Sequence, residues 1–310
     1  MNTPISFHHN PVLLKETIAA INIDSDGFYV DCTAGGGGHS AEIASRLTTG
    51  KLIAVDRDPE AVAVLKERLG NFKCVTVEHD NFFNIKEIIK RNNINKVNGI
   101  LADLGVSSHQ LDETSRGFSF HSDAPLDMRM SIEGASAADA VNTLSKEELS
   151  RILRVYGEEK FASPIASAIV RAREIKPIET TLELSDIVSS AVPAAVRREG
   201  HPARKTFQAL RIYVNGELDG LEQAITDMMD CLLPGGRLCV ISFHSLEDRI
   251  VKQAMQPFTK GCTCPKNFPV CVCGKKPAAR LLKPVTPGSE EIQNNPRSRS
   301  AKLRVAEKLE

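Results

Sequence analysis

The segment Asp31-Cys32-Thr33-Ala34-Gly35-Gly36-Gly37-Gly38-His39-Ser40 joins an acid, a hydroxyl and four consecutive glycines. Glycines at such a place let the backbone approach a ligand closely and adopt positive φ. A helix opening behind them offers unpaired N–H groups and a partial positive charge. Asp56 follows about twenty residues later, the spacing at which a carboxylate accepts the hydroxyls of a ribose. Asp103 ends a further apolar run. Together these residues suit a nucleoside cofactor and leave its identity open. Gly36-x-Gly38-x-x-Ala41 fits the dinucleotide fingerprint of NAD-binding folds. Asp31 argues the other way, because a carboxylate at the end of the first strand repels a pyrophosphate and attracts a cationic amino-acid group. That favours S-adenosylmethionine, with its ammonium and sulfonium, over NAD. A tight strand–helix turn holding no ligand is the plain alternative, set against the entropy that glycines lose on ordering.

A second chemistry lies among the cysteines. Cys262-x-Cys264 and Cys271-x-Cys273 crowd four thiols into a short segment. Thiolates so placed can hold a tetrahedral Zn²⁺, although paired zinc ligands usually have two or more residues between them. A flexible thiol loop and redox pairing are the alternatives, and no metal is assigned. Cys32, Cys74, Cys231 and Cys239 lie in or beside apolar segments and read as core residues.

The elements that must position these groups alternate. Phe28-Tyr29-Val30-Asp31, Leu52-Ile53-Ala54-Val55-Asp56, Cys74-Val75-Thr76-Val77 and Gly99-Ile100-Leu101-Ala102-Asp103-Leu104 are short apolar runs. Helical spacing separates them over residues 40–47, 59–69 and 85–90. Such alternation implies a parallel sheet covered on both faces. Ligands then bind beyond the carboxyl ends of the strands, where Asp31, Asp56 and Asp103 fall. The rhythm breaks at Ser107, and residues 147–156, 161–173 and 182–192 read as helices. Residues 206–233 read as one long amphipathic helix, Pro234-Gly235-Gly236 as a turn and residues 237–243 as a fifth strand. The expected organisation is an α/β domain over 1–107 and 206–310, interrupted by a helical domain over 108–205. Beyond Pro257 the chain is rich in Cys, Pro, Lys and Arg, with little periodicity.

These motifs, in order and over nearly the whole chain, resemble those of the bacterial 16S rRNA (cytosine-N4)-methyltransferases, the RsmH or MraW family. The likeness rests on Pro11-Val12-Leu13-Leu14-Lys15-Glu16, Gly37-Gly38-His39-Ser40, Asp103-Leu104-Gly105-Val106-Ser107-Ser108 and Arg116-Gly117-Phe118-Ser119-Phe120. It continues through Pro125-Leu126-Asp127-Met128-Arg129-Met130, Tyr156-Gly157-Glu158-Glu159, Thr206-Phe207-Gln208-Ala209-Leu210-Arg211-Ile212, residues 241–249 and residues 297–304. The resemblance implies a Rossmann-like S-adenosylmethionine-dependent methyltransferase fold with an inserted helical substrate-recognition domain. It further implies methylation of the exocyclic N4 amine of a cytidine in the decoding region of 16S rRNA. Cofactor contacts are implied at Gly37, Gly38, His39, Asp56, Phe82, Asp103 and Gln110, with Phe82 stacking on the adenine. The sequence departs from the pattern at Cys32-Thr33-Ala34-Gly35-Gly36, a smaller loop than in some members. It departs again at Arg204-Lys205, where Thr and Arg are usual.

For catalysis, Asp103 or a backbone carbonyl of residues 104–106 would accept an amine N–H as the methyl arrives; Asp103 serving the cofactor alone is the alternative. His244 would contact the target nucleotide, or tie strand to helix with Asp248. Asp127 and Arg129 would bind RNA or pair structurally across the domain interface. His8 and His9 would cap the site or face solvent.

Of 310 residues, 39 are Lys or Arg and 39 are Asp or Glu, with 42% apolar and 25% charged. This excludes a disordered chain, and no apolar run approaches the ~18–20 residues that span a bilayer. Residues 1–15 do not read as a signal peptide, which places the protein in a reducing cytoplasm, with no membrane partner. The expected partner is 16S rRNA in the small ribosomal subunit or its assembly particle; a homodimer is left open. The zero net charge hides an uneven distribution: residues 275–310 carry an excess of five positive charges and residues 197–211 an excess of four. Both patches are expected to touch phosphate in a salt-sensitive way. A nicotinamide-dependent oxidoreductase and a non-enzymatic RNA-binding protein are the competing classes.

Overall fold

The computed structural model describes residues 11–309 except Ile132, Thr263, Lys266, Asn267, Phe268 and Cys271. His8, His9 and Cys271 therefore lie outside the described residues. The chain forms two compact units, residues 1–105 with 220–310, and residues 106–219.

The first unit is built on seven strands: β1 (Phe28–Asp31), β2 (Lys51–Asp56), β3 (Val75–His79), β4 (Val97–Asp103), β5 (Leu232–Ser242), β6 (Ala279–Leu281) and β7 (Lys302–Lys308). Their order in the sheet is β3-β2-β1-β4-β5-β7-β6. The first five are mutually parallel, and β7 runs antiparallel to both β5 and β6. Leu52, Ile53, Ala54 and Val55 of β2 and Ile100, Leu101 and Ala102 of β4 are all buried, as strands covered on both faces require. Helices Gly38–Ala44, Pro59–Leu69 and Ile85–Arg91 form the crossovers. Asp58 starts the second of them, accepting the Glu60 N–H at 3.0 Å, and Pro59 fills the first helical position. Successive strands leave β1 first toward β2 and β3, then toward β4 and β5. The carboxyl ends of β1 and β4 therefore flank the point where strand order reverses, where α/β sheets bind ligands.

Two expectations need correction in this unit. Pro234-Gly235-Gly236 is not a turn ahead of the strand but lies within β5. Pairing jumps from Val97–Leu232 to Gly99–Arg237, so the extra residues form a bulge. The aperiodic tail supplies two strands, with Leu303 and Val305 of β7 buried in the core. Some of the tail's basic residues are paired inside the fold. Arg304 and Lys302 both bind Asp248, at 2.6 and 2.9 Å, and Arg280 binds Glu307 at 2.9 Å.

The second unit is helical. Helices Ala137–Thr143, Lys146–Gly157, Ala162–Arg173, Thr181–Ala191 and Arg204–Asn215 surround a core that includes Leu149, Ile152, Ile165, Ile169 and Leu210. Reciprocal capping boxes open three of them, at Ser136/Asp139, Ser145/Glu148 and Thr180/Glu183. The single helix expected over 206–233 is two helices, Arg204–Asn215 and Leu221–Cys231. Gly216 (φ 57°) ends one and Gly220 (φ 84°) precedes the other, both in the left-handed region. Phe207, Ala209 and Leu210 pack in the helical core. The inserted unit therefore extends over Val106–Asp219 instead of stopping at 205.

Candidate cofactor and catalytic site

Three acids end three adjacent parallel strands of the first unit: Asp31 on β1, Asp56 on β2 and Asp103 on β4. Asp31 is 1% exposed. It accepts the Ser40 hydroxyl at 2.6 Å and the Thr33 N–H at 3.3 Å. Burial pushes its carboxyl up to about 6 against those two hydrogen bonds, and the nearby Asp56 adds to the rise. Asp103 donates its backbone N–H to the Thr33 hydroxyl at 2.6 Å, so one threonine ties the ends of β1 and β4 together. Its carboxyl lies well above the usual carboxylate range, chiefly through burial and then through the charges of Asp31 and Glu247. Asp103 Oδ1 has no hydrogen-bond partner, and Oδ2 lies 3.7 Å from His39 Nδ1. Burial lowers His39 to about 4 against the opposing Val12 carbonyl, so the imidazole is neutral at pH 7 and the contact is not an ion pair. His39 Nε2, also buried, is likewise without a partner.

Asp56 accepts the Gly35 N–H at 2.7 Å on Oδ2 and the Asp58 N–H at 2.9 Å on Oδ1. Desolvation raises its carboxyl above the ordinary value, with both hydrogen bonds opposing. An ionised carboxylate accepts about four hydrogen bonds, so capacity for a ribose remains.

The glycines have separate reasons. Gly37 caps the helix Gly38–Ala44 at φ 76°, a conformation that L side chains rarely adopt. At Gly38 the reason is contact, because a Cβ there would lie 2.2 Å from Pro11 Cγ. The turn is further held by Arg68, which donates to the Gly36 carbonyl at 2.6 Å.

Phe82 follows the end of β3 and meets Phe83 edge-on at 4.7 Å. Gly37, Gly38, His39, Asp56, Phe82 and Asp103 thus share the carboxyl edge of one sheet. Gln110 belongs to the second unit, where it accepts the Ser107 N–H at 3.0 Å. His244 caps the helix Ser245–Met255: its Nδ1 accepts the Glu247 N–H at 3.3 Å, and Glu247 accepts the Phe243 N–H at 2.8 Å. It does tie strand to helix, but through Glu247; Asp248 is engaged by Lys302 and Arg304. Asp127 and Arg129 form a two-pronged pair at 2.9 and 2.7 Å inside the second unit.

Sequence reasoning missed three features. Thr33 was read only as part of the loop. Asn215 clamps the Asp127-Met128-Arg129-Met130 turn, donating to the Met128 carbonyl and accepting the Met130 N–H, both at 2.7 Å. That clamp holds buried Met128 at φ 61°, strained for a side-chain-bearing residue. Phe120 stacks on His201 with ring centroids 4.4 Å apart, and His121 packs at the same distance. Only the last carried a signal, two aromatic rings in series.

Chemically, the edge of the first unit is a desolvated acidic site. Among the described residues no Lys or Arg pairs with Asp31 or Asp103. A cation placed there would relieve two carboxylates that burial disfavours, and a pyrophosphate would be repelled. The unpartnered atoms of His39 and Asp103 are open to a polar ligand. The residues therefore fit a nucleoside with a cationic amino-acid end better than a dinucleotide.

Comparison with known proteins agrees. "Ribosomal RNA small subunit methyltransferase H" of Clostridium botulinum (strain Kyoto / Type A2) is 54% identical over 98% of this chain and 100% of its own length. The protein of the same name from Brevibacillus brevis is 52% identical over 99% of this chain and 100% of its own. Among solved structures, an rRNA methylase from Streptococcus thermophilus aligns with 95% of this chain and 93% of its own, at 13% identity and a TM-score of 0.41. The sequence profile of the MraW methylase family matches residues 6–309, and the chain belongs to that family.

Proposed function

We propose that this protein transfers a methyl group from S-adenosylmethionine to ribosomal RNA, and that the acceptor is the exocyclic N4 amine of a cytidine in the decoding region of the small-subunit RNA. The carrying observation is the row of three buried or half-buried carboxylates at the reversal point of the sheet, Asp31, Asp56 and Asp103. The RNA acceptor is supported by full-length relatives named for small-subunit ribosomal RNA methylation. No helix among the described residues is long and apolar enough to cross a membrane.

S-adenosylmethionine supplies, when bound, a methyl group on a positively charged sulfur. Asp31 and Asp103 would hold the cationic end, Asp56 would accept the ribose hydroxyls, and Phe82 would stack on the adenine. Asp103, or a backbone carbonyl of residues 104–106, accepts one N–H of the target amine. That draws the nitrogen lone pair out of conjugation with the ring and toward the methyl carbon. As the methyl moved from sulfur to nitrogen, the amine proton would leave to the Asp103 carboxylate or to water, a backbone carbonyl serving only as hydrogen-bond acceptor. Alignment of the two reactants supplies much of the rate. His244 caps a helix through Nδ1, and its Nε2 lies 3.1 Å from Glu247 Oε1, so it would meet the target nucleotide only through Nε2 and in competition with that carboxylate. In the second unit, exposed Arg198 and Arg204 remain for phosphate contact, whereas Arg211 is held by Glu217 at 2.9 Å.

Mass-spectrometric mapping of small-subunit RNA from a strain lacking the gene tests the reading. Loss of an N4-methyl group on a decoding-region cytidine is expected, restored by the wild-type gene and not by Asp103→Asn. An unchanged N4-methyl signal refutes the substrate. Full activity and cofactor affinity in Asp103→Asn refute the role of Asp103.

A further inference from the structure

Between Thr259 and Ala279 the first unit carries a loop with no helix or strand among its described residues. Its base is closed by the Ala278 N–H, which donates to the Phe258 carbonyl at 2.8 Å. Among its described residues, Val270 and Val272 are 69% and 73% exposed, so these apolar side chains form no core. Loops of this length are uncommon in compact domains unless something orders them.

The sulfur atoms of Cys262, Cys264 and Cys273 converge in this loop, all within 4.8 Å of one another. Cys262 and Cys273 Sγ are 3.8 Å apart. That is far beyond the ~2.05 Å of a disulfide, and it matches the edge, about 3.8 Å, of a tetrahedron with metal–sulfur bonds of ~2.3 Å. The Cys264 N–H points at Cys262 Sγ at 3.4 Å, the kind of contact that stabilises a ligating thiolate. Exposed Lys260, Lys275 and Lys276 flank the set. Cys32 and Cys239 are buried instead. Burial pushes the Cys239 thiol up to about 12 and Cys32 well above its usual range, which leaves both inert.

We propose that Cys262, Cys264 and Cys273 are ligands of a structural Zn²⁺ that orders this loop. Three thiolates leave one tetrahedral position. Three thiolates select a borderline-soft ion such as zinc over oxygen-seeking Mg²⁺ or Ca²⁺. Its task is to order a loop whose described residues bury little apolar surface.

The test is elemental analysis of the untagged full-length protein, purified without added metal and dialysed against a weak chelator. About one zinc per chain is expected, lost in the double variant Cys262→Ser/Cys273→Ser and kept in Cys74→Ser. Cobalt exchanged into the wild-type protein should give sulfur-to-metal charge-transfer absorption and the visible bands of tetrahedral thiolate coordination. This readout does not depend on the variant's folding. Removing zinc should speed proteolytic nicking within residues 260–277 by roughly tenfold. The proposal is overturned by metal-free protein that shows no cobalt spectrum, by zinc retained in the double variant, by iron with acid-labile sulfide, or by a Cys262–Cys273 disulfide in protein prepared without oxygen.

Discussion

Replacing Asp31 by asparagine is expected to stabilise the first unit while weakening its hold on the cofactor. The carboxyl is 1% exposed, and burial raises it from 3.8 to about 6. At 1.36 kcal/mol per pH unit, the difference corresponds to about 3 kcal/mol of stability lost when the group ionises in the folded protein. The sign follows from the direction. Below the unfolded value both states are protonated and nothing is lost. As pH rises the unfolded chain releases its proton first, and stability falls until the folded group also ionises near 6. Asparagine never ionises and escapes this loss. It keeps an acceptor for Ser40 and forfeits the weaker Thr33 contact at 3.3 Å, worth about 1 kcal/mol. The net gain is about 2 kcal/mol above pH 6, reversing to a loss of about 1 kcal/mol below about pH 4. Urea unfolding followed by far-UV circular dichroism across that range measures it, and isothermal titration with S-adenosylmethionine should show weaker binding. A variant less stable than wild type at pH 8, or a difference that does not change with pH, would refute the reasoning.

Further outcomes follow from other contacts. Gly38→Ala places a Cβ 2.2 Å from Pro11 Cγ, so a loss of about 1–3 kcal/mol is expected in thermal unfolding, with cofactor affinity reduced alongside. Asn215→Ala orphans the Met128 carbonyl and the Met130 N–H together; a loss of roughly 2–4 kcal/mol should appear in denaturant unfolding, with methylation falling too. His39 should stay neutral between about pH 5 and 8 in long-range proton–nitrogen NMR, since burial holds it near 4. Its contribution to stability should then weaken as pH falls from its unfolded value of 6.5 toward 4.

The α/β half was legible because its signals are local. Each early strand is a short apolar run closed by an acid, and Asp58-Pro59 marks a helix start by chemistry confined to two residues. The acids at the strand ends followed from the same pattern, and with them most of the cofactor site. What escaped depends on distant partners. Lys302 and Arg304 look like a solvated tail until Asp248, more than fifty residues earlier, is seen to bind both. Asn215's role in the clamp has no local signature, because its two partners in that turn lie more than eighty residues away. The break at Gly216 and Gly220 was open to reading, since two glycines four apart interrupt any helix, but the apolar spacing across them masked it.

The pairing of β4 with β5 bears on how the chain reaches this state. The two strands are sheet neighbours, with Asp103 opposite Ile241, yet the whole helical unit lies between them in sequence. The sheet's central seam is therefore a high-contact-order event, formed late and slowly relative to the local crossovers on the β1–β3 side. Until it closes, β4 is an open edge rich in Val, Ile and Leu, able to pair with the same strand of another molecule. The helical unit has its own core and can fold meanwhile, which shortens the effective loop. Refolding yield should accordingly be governed by concentration during that interval, and by how quickly the inserted helices form.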